Sequence, residues 1–142
     1  MNVAALVSAA QQLLGESRSD DELDSSTVKF QRCTQCSYVR FPEAPLCPEC
    51  LNDTSEWIED SGIGTLWSFC VYRRAFDKAF EAALPYNVAL IELDSGPRIV
   101  SNVLGVEESE LHIGLRVIAE PREIVSGRSL IYFKRHDEDK SQ

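Results

Sequence analysis

The chain has no apolar run approaching the roughly 20 residues that cross a bilayer, so no membrane-spanning helix is expected from its sequence. It has no basic surplus either: the formal net charge is −9. A polynucleotide binder draws most of its affinity from cations that displace counterions at phosphates, and this balance argues against that class. Histidine is nearly absent, with only His112 and His136. Both read as ordinary turn or surface residues, and no Ser-His-Asp or paired-carboxylate arrangement can be argued around them. The opening Met-Asn-Val-Ala-Ala-Leu lacks a basic region before its apolar residues and lacks a small-residue cleavage pattern, which reads as cytoplasmic.

Against these absences stands one dense cluster of cysteine. Cys33-Thr-Gln-Cys36 and Cys47-Pro-Glu-Cys50 are two Cys-x-x-Cys hooks ten residues apart. Two residues between the sulfurs of a hook form the tight turn that points both at one ion, and two facing hooks complete a tetrahedral shell around Zn²⁺. Such a shell has no open position, so the zinc is structural rather than catalytic. A redox dithiol pair and iron in the same cage are the alternatives. Disulfides are disfavoured in a reducing cytosol. The fifth cysteine, Cys70, lies in the apolar run Leu66–Val71 and reads as a small buried hydrophobe.

The charge is uneven. Residues 1–60 hold 4 Lys/Arg against 11 Asp/Glu, residues 61–136 hold 9 against 9, and the tail holds 1 against 3. Val3, Leu6, Val7, Ala10, Leu13 and Leu14 recur at helical spacing. The amphipathic helix they form needs a surface to cover, either on its own chain or on a partner to which it docks as an arm. Gly15 is placed to cap it, and the acidic stretch 17–26 reads as a solvated linker. A short apolar lead, Val28–Phe30, opens the first hook, and Tyr38–Pro42 leaves it as a brief strand, which makes a zinc ribbon over residues 28–60. Its hydrophobes are few, so metal binding must supply much of its folding free energy, on the order of 10 kcal/mol. Gly62 and Gly64 mark a bend at the boundary that follows.

From Thr65 the periodicity becomes two. Strands are expected at Leu66–Val71, Asn87–Leu93, Arg98–Leu104, Leu115–Ala119 and Leu130–Phe133, with one or two helical turns over Asp77–Leu84 and a hairpin turn at Asp94–Pro97. Five short strands in residues 61–136, bent at glycines, favour a closed five-stranded barrel of the OB type. The fold class is therefore mainly β, an OB barrel preceded by a zinc ribbon and an N-terminal helix. Residues 137–142 are expected to be disordered.

The order of these pieces resembles the family known as domain of unknown function 35, DUF35, over residues 28–136. The likeness is carried by the two hooks, Phe41-Pro42, the run Gly62–Phe69, the run Pro85–Asp94 and the run Leu111–Val117. Ser37 departs from a usual glycine, and Glu43-Ala44 from a usual proline and arginine. The resemblance implies a rubredoxin-like zinc ribbon joined to an acyl-CoA-associated OB-fold. It further implies a non-catalytic subunit beside a thiolase-fold enzyme, a thiolase, retro-aldolase or acyltransferase, with a coenzyme A thioester as ligand of the complex. The adjacent cations Arg73 and Arg74, with Phe76, could meet a phosphate and an adenine ring, or the partner, although a solvated basic loop is the plain alternative. A nucleic-acid-binding module is the competing class, since ribbons and OB barrels both serve there.

Overall fold

The computed structural model describes residues 2–14, 28–40, 44–125 and 128–137. The acidic linker, the Gly15 cap, the Phe41–Glu43 segment and the tail beyond Asp137 lie outside the described residues. Strands are β1 (Val28–Cys33), β2 (Val39–Arg40), β3 (Ser55–Asp60), β4 (Ile63–Tyr72), β5 (Tyr86–Leu93), β6 (Arg98–Ser101), β7 (Val103–Leu104), β8 (Arg116–Val125) and β9 (Arg128–Arg135). One α-helix, α1 (Val3–Leu14), precedes them, and 3-10 turns occupy Lys78–Ala83 and Glu108–Glu110. Asp77 caps the first of these turns by accepting the Ala79 N–H at 2.9 Å.

β1, β2 and β3 form a small antiparallel sheet in the order β2-β1-β3, and the remaining strands form a second sheet, β6-β5-β4-β8-β9-β7. The two ends of that second sheet, β6 and β7, are consecutive in the chain and are separated only by Asn102. β6 pairs with β5, and β7 pairs in parallel with β9, so the sheet closes on itself. The closed sheet thus has six hydrogen-bonded segments where the sequence reads five strands. The stretch Arg98–Leu104 is broken because it must leave one neighbour and join another.

Asn87 secures that break. Its buried side chain donates Nδ2–H to the Val103 carbonyl and accepts the Val103 N–H on Oδ1, both at 2.8 Å. An amide side chain here stands in for the backbone pairing that a bent strand loses. Asn102 in turn donates to the Asn87 carbonyl, and its own carbonyl accepts from Phe133 at 3.0 Å. Ser101 closes the other side by donating Oγ–H to the Ile131 carbonyl at 2.7 Å.

Alternation packs the interior. Ala89, Ile91 and Leu93 of β5 point inward with Leu66, Ile99, Val117 and Phe133. Val28 and Phe30 of β1 belong to the same buried cluster, so the ribbon sheet and the barrel share one core. Gly64 permits the close β4–β5 approach: a Cβ there would stand 2.6 Å from the Glu92 carbonyl oxygen. One residue of β4 departs from expectation. Cys70 is exposed rather than buried. The β4–β5 register shifts between Leu66 and Ser68, so the bulge at Trp67 inverts the alternation and turns Phe69 and Val71 toward the core in place of Cys70.

α1 takes the first of its two readings, a cover for its own chain rather than a docking arm. Its Leu6 and Ala10 are buried in a second cluster with Ala83, Tyr86, Leu104 and Tyr132, on the outside of the barrel. The apolar stripe covers its own chain because the aromatic outer face of β5 and β9 is the nearest surface that it can shield from water. Asn2 caps the helix, accepting the Ala5 N–H at 3.1 Å.

Replacing Asn87 with alanine should lower unfolding stability by about 2–4 kcal/mol, because two buried backbone groups of Val103 lose their partners. The check is a denaturant titration followed by tryptophan fluorescence. An unchanged midpoint would show that the barrel closes without this side chain.

Candidate functional site

The two hooks fold as twins. In the first, Ser37 N–H donates to the Cys33 carbonyl at 3.0 Å and Cys33 N–H to the Tyr38 carbonyl at 2.9 Å. In the second, Leu51 N–H donates to the Cys47 carbonyl at 2.8 Å and Cys47 N–H to the Asn52 carbonyl at 2.9 Å. Each turn ends on a residue with positive φ, 67° at Ser37 and 64° at Leu51. The left-handed residue reverses the chain so that backbone N–H groups face the sulfurs, as the Gln35 N–H faces Cys33 Sγ at 3.4 Å.

All four sulfurs lie within 4.8 Å of one another. Cys33 to Cys50 and Cys36 to Cys47 are each 3.5 Å apart. A tetrahedron with Zn–S bonds of about 2.3 Å has edges of about 3.8 Å, so the donor set fits a zinc ion without rebuilding the backbone. None of the four is in a disulfide. The Cys36 N–H holds the Cys33 thiol down at about 6. At Cys36 the Tyr38 N–H favours the thiolate, yet burial and the three neighbouring sulfurs push the thiol up to about 12. Part of the cage therefore ionises readily, while the full set of thiolates requires a cation between them. Such a site fixes the ribbon and leaves no coordination position for a substrate.

At the mouth of the barrel, Val71, Pro85, Asn87, Val106, Glu107, Glu108 and Leu111 line a cleft of about 120 Å³. That is below the roughly 300 Å³ of small-molecule pockets. Arg73 forms an ion pair with Glu108 across the rim. Arg74 is exposed. Phe76 is 87% exposed and meets Tyr72 edge-on with ring centroids 5.9 Å apart. The three residues singled out from sequence thus share one loop after β4, but one of the two cations is already matched by a carboxylate. His112 is exposed with Nδ1 2.9 Å from the Glu110 carbonyl, and His136 is half-buried after β9.

Family models match in two consecutive blocks. Residues 20–56 match the rubredoxin-like zinc ribbon domain of ChsH2, and residues 57–120 match its C-terminal OB-fold domain. The chain belongs to the DUF35 family. A DUF35 domain-containing scaffold protein of Methanocaldococcus jannaschii is 37% identical over 94 residues, which is 66% of this chain and 66% of that one. A probable enoyl-CoA hydratase alpha subunit of Thermomonospora curvata is 37% identical over 91 residues, 64% of this chain. The chain spans only 28% of that relative's length. A solved structure named Ltp2-ChsH2(DUF35) aldolase superimposes with a TM-score of 0.67 at 28% identity, covering 95% of both chains.

The stretches that carry the DUF35 likeness meet in space. Arg116 of β8 holds Asp94 of the β5–β6 turn bidentately, at 2.9 and 2.7 Å, and donates to Thr65 of β4 at 2.9 Å. This arginine beside Asp94 holds its carboxyl below the usual carboxylate range. Sequence reading found the four cysteines and singled out Ser37, where a glycine is usual, but not its left-handed twin Leu51. The signal was available, since Ser37 and Leu51 each follow the second cysteine of a hook. Among the described residues no helix is long and apolar enough to cross a membrane.

Replacing Cys47 with serine should remove most of about one equivalent of bound zinc and lower solubility with it, because a buried sulfur donor is lost from a four-ligand shell. Elemental analysis of the purified chain reads the metal directly. Zinc loss to a chelator should accelerate as pH falls, since protons compete with the metal for the thiolates. Full metal loss with unchanged folding would count against a structural ion.

Proposed function

We propose that this DUF35 chain is a non-catalytic, zinc-stapled OB-fold subunit of a thiolase-fold acyl-CoA enzyme complex, acting in the cytoplasm to support assembly and acyl-CoA binding. The observation that carries the reading is the likeness over 95% of both chains to the DUF35 chain of a named aldolase. The closed four-sulfur cage and the small cleft agree with it, because neither can activate or bury an acyl-CoA unaided. The partner supplies the nucleophilic cysteine and the acid-base groups for making or breaking a carbon–carbon bond at the β-position of the thioester. Ribbon (28–60) and barrel (61–136) act as one rigid support beside the substrate entrance. Arg74 and Phe76, with Arg73 once released from Glu108, contribute to acyl-CoA or partner contact at the barrel mouth.

A second reading changes only the partner. The Thermomonospora curvata relative is named as a hydratase subunit, which favours hydration of an enoyl-CoA as the partner's reaction. Co-expression with candidate partners tests both. The two chains should elute together in size exclusion, and thiolytic or aldolytic activity should require both; a requirement seen only in hydration would transfer the proposal to the second reading. A partner fully active and soluble without this chain would end the subunit hypothesis. Changing Arg73 and Arg74 together to alanine should raise the Michaelis constant for the acyl-CoA several-fold or weaken assembly. If both stay at wild-type values, the contact lies elsewhere.

A further inference from the structure

Leu51 is unfavourable for the fold twice over. It sits in left-handed backbone at φ 64°, a conformation that L side chains rarely adopt. It also leaves its side chain 71% exposed. Glycine would meet the backbone requirement without strain, and a polar residue would meet the solvent, as Ser37 does at the twin position. Neither backbone geometry nor core packing therefore explains a leucine at position 51.

Its surroundings point to contact with a protein. Leu46, on the other side of the same hook, is 49% exposed. The Leu51 N–H bond to the Cys47 carbonyl and the sulfur cage hold this hook rigid, so little conformational freedom remains to be lost on binding. Glu49 and Asp53 lie beside the apolar pair, both exposed and, among the described residues, without an ion pair. The ribbon's arginines do not neutralise them: Arg32 is engaged by Glu56, and Arg40 is buried against Gln31 and the Ala44 carbonyl. The tip is thus a stiff apolar knob in an acidic setting.

We propose that Leu51, with Leu46, is an anchor that inserts into an apolar pocket with a basic rim on the partner subunit. This inference rests on the subunit reading above and names the surface through which it operates. Acidic rims disfavour a second copy of this chain as occupant, because like charges would face each other in a chain of net charge −9. They favour a cationic partner surface, which steers association and makes it sensitive to salt.

The test uses the full chain and the catalytic subunit recovered by co-expression. Leu51→Gly and Leu51→Asn both suit a positive φ, so each should keep its zinc and show a thermal midpoint equal to or above wild type. Each should nevertheless weaken binding to the immobilised catalytic subunit at least tenfold. Glu49→Lys with Asp53→Lys should slow association and flatten its salt dependence. If wild type binds and both Leu51 variants bind within twofold of it, the anchor is overturned while the subunit reading stands. If wild type itself does not bind, the subunit reading fails and the anchor fails with it. Self-association of the chain alone that Leu51→Gly abolishes would give the tip to a second copy and overturn the proposal.

Discussion

Four sulfurs brought within 4.8 Å of one another are the constraint on which the N-terminal half of this protein depends. The ribbon has a three-stranded sheet in which one strand is two residues long. A sheet so small buries too little to order the two hook turns around it. A cation among the thiolates changes that balance, since its binding free energy becomes folding free energy. The left-handed residues at Ser37 and Leu51 belong to the same economy, because a strained backbone persists where its surroundings over-determine it.

The ribbon is nevertheless not a separate body tethered to a barrel. Phe30 is almost completely buried in the cluster that also holds Leu66, Ile91 and Phe133. Burying a phenylalanine is worth about 2–3 kcal/mol, so barrel and ribbon stabilise each other through β1. Cys33 ends the strand that carries Phe30, so a metal bound in the cage would tie that strand's end to the second hook. On the opposite side, α1 shields Tyr86 and Tyr132, whose hydroxyls are pushed toward higher pKa by burial.

The barrel is closed by polar groups at two places. Asn87 and Asn102 manage the strand that changes partners, and Arg116 clamps Asp94 and Thr65 where three chain segments converge. Each converts a stretch that looks like mere strand in the sequence into a junction. Thr65, Asn87, Asp94 and Arg116 lie in stretches that carry the DUF35 likeness, and replacing them with apolar strand formers would leave their hydrogen-bonded or charged partners alone.

Local chemistry was legible in the sequence wherever it is periodic or spaced. Two Cys-x-x-Cys hooks define a tetrahedral cage because the turn between the sulfurs is local, and the apolar runs bounded by turn residues mark the strands, Asn87–Leu93 among them. What needed the tertiary structure was everything that depends on a neighbour distant in the chain. The bulge at Trp67 is set by pairing with β5, and it exposes Cys70. The break at Asn102 is set by the need of one strand to serve both β5 and β9. The apolar stripe of α1 announces that some surface must be covered, but only packing chooses between another protein and the chain's own Tyr86, Leu104 and Tyr132. Periodicity records that a face will be buried; the identity of what buries it is a property of the folded chain.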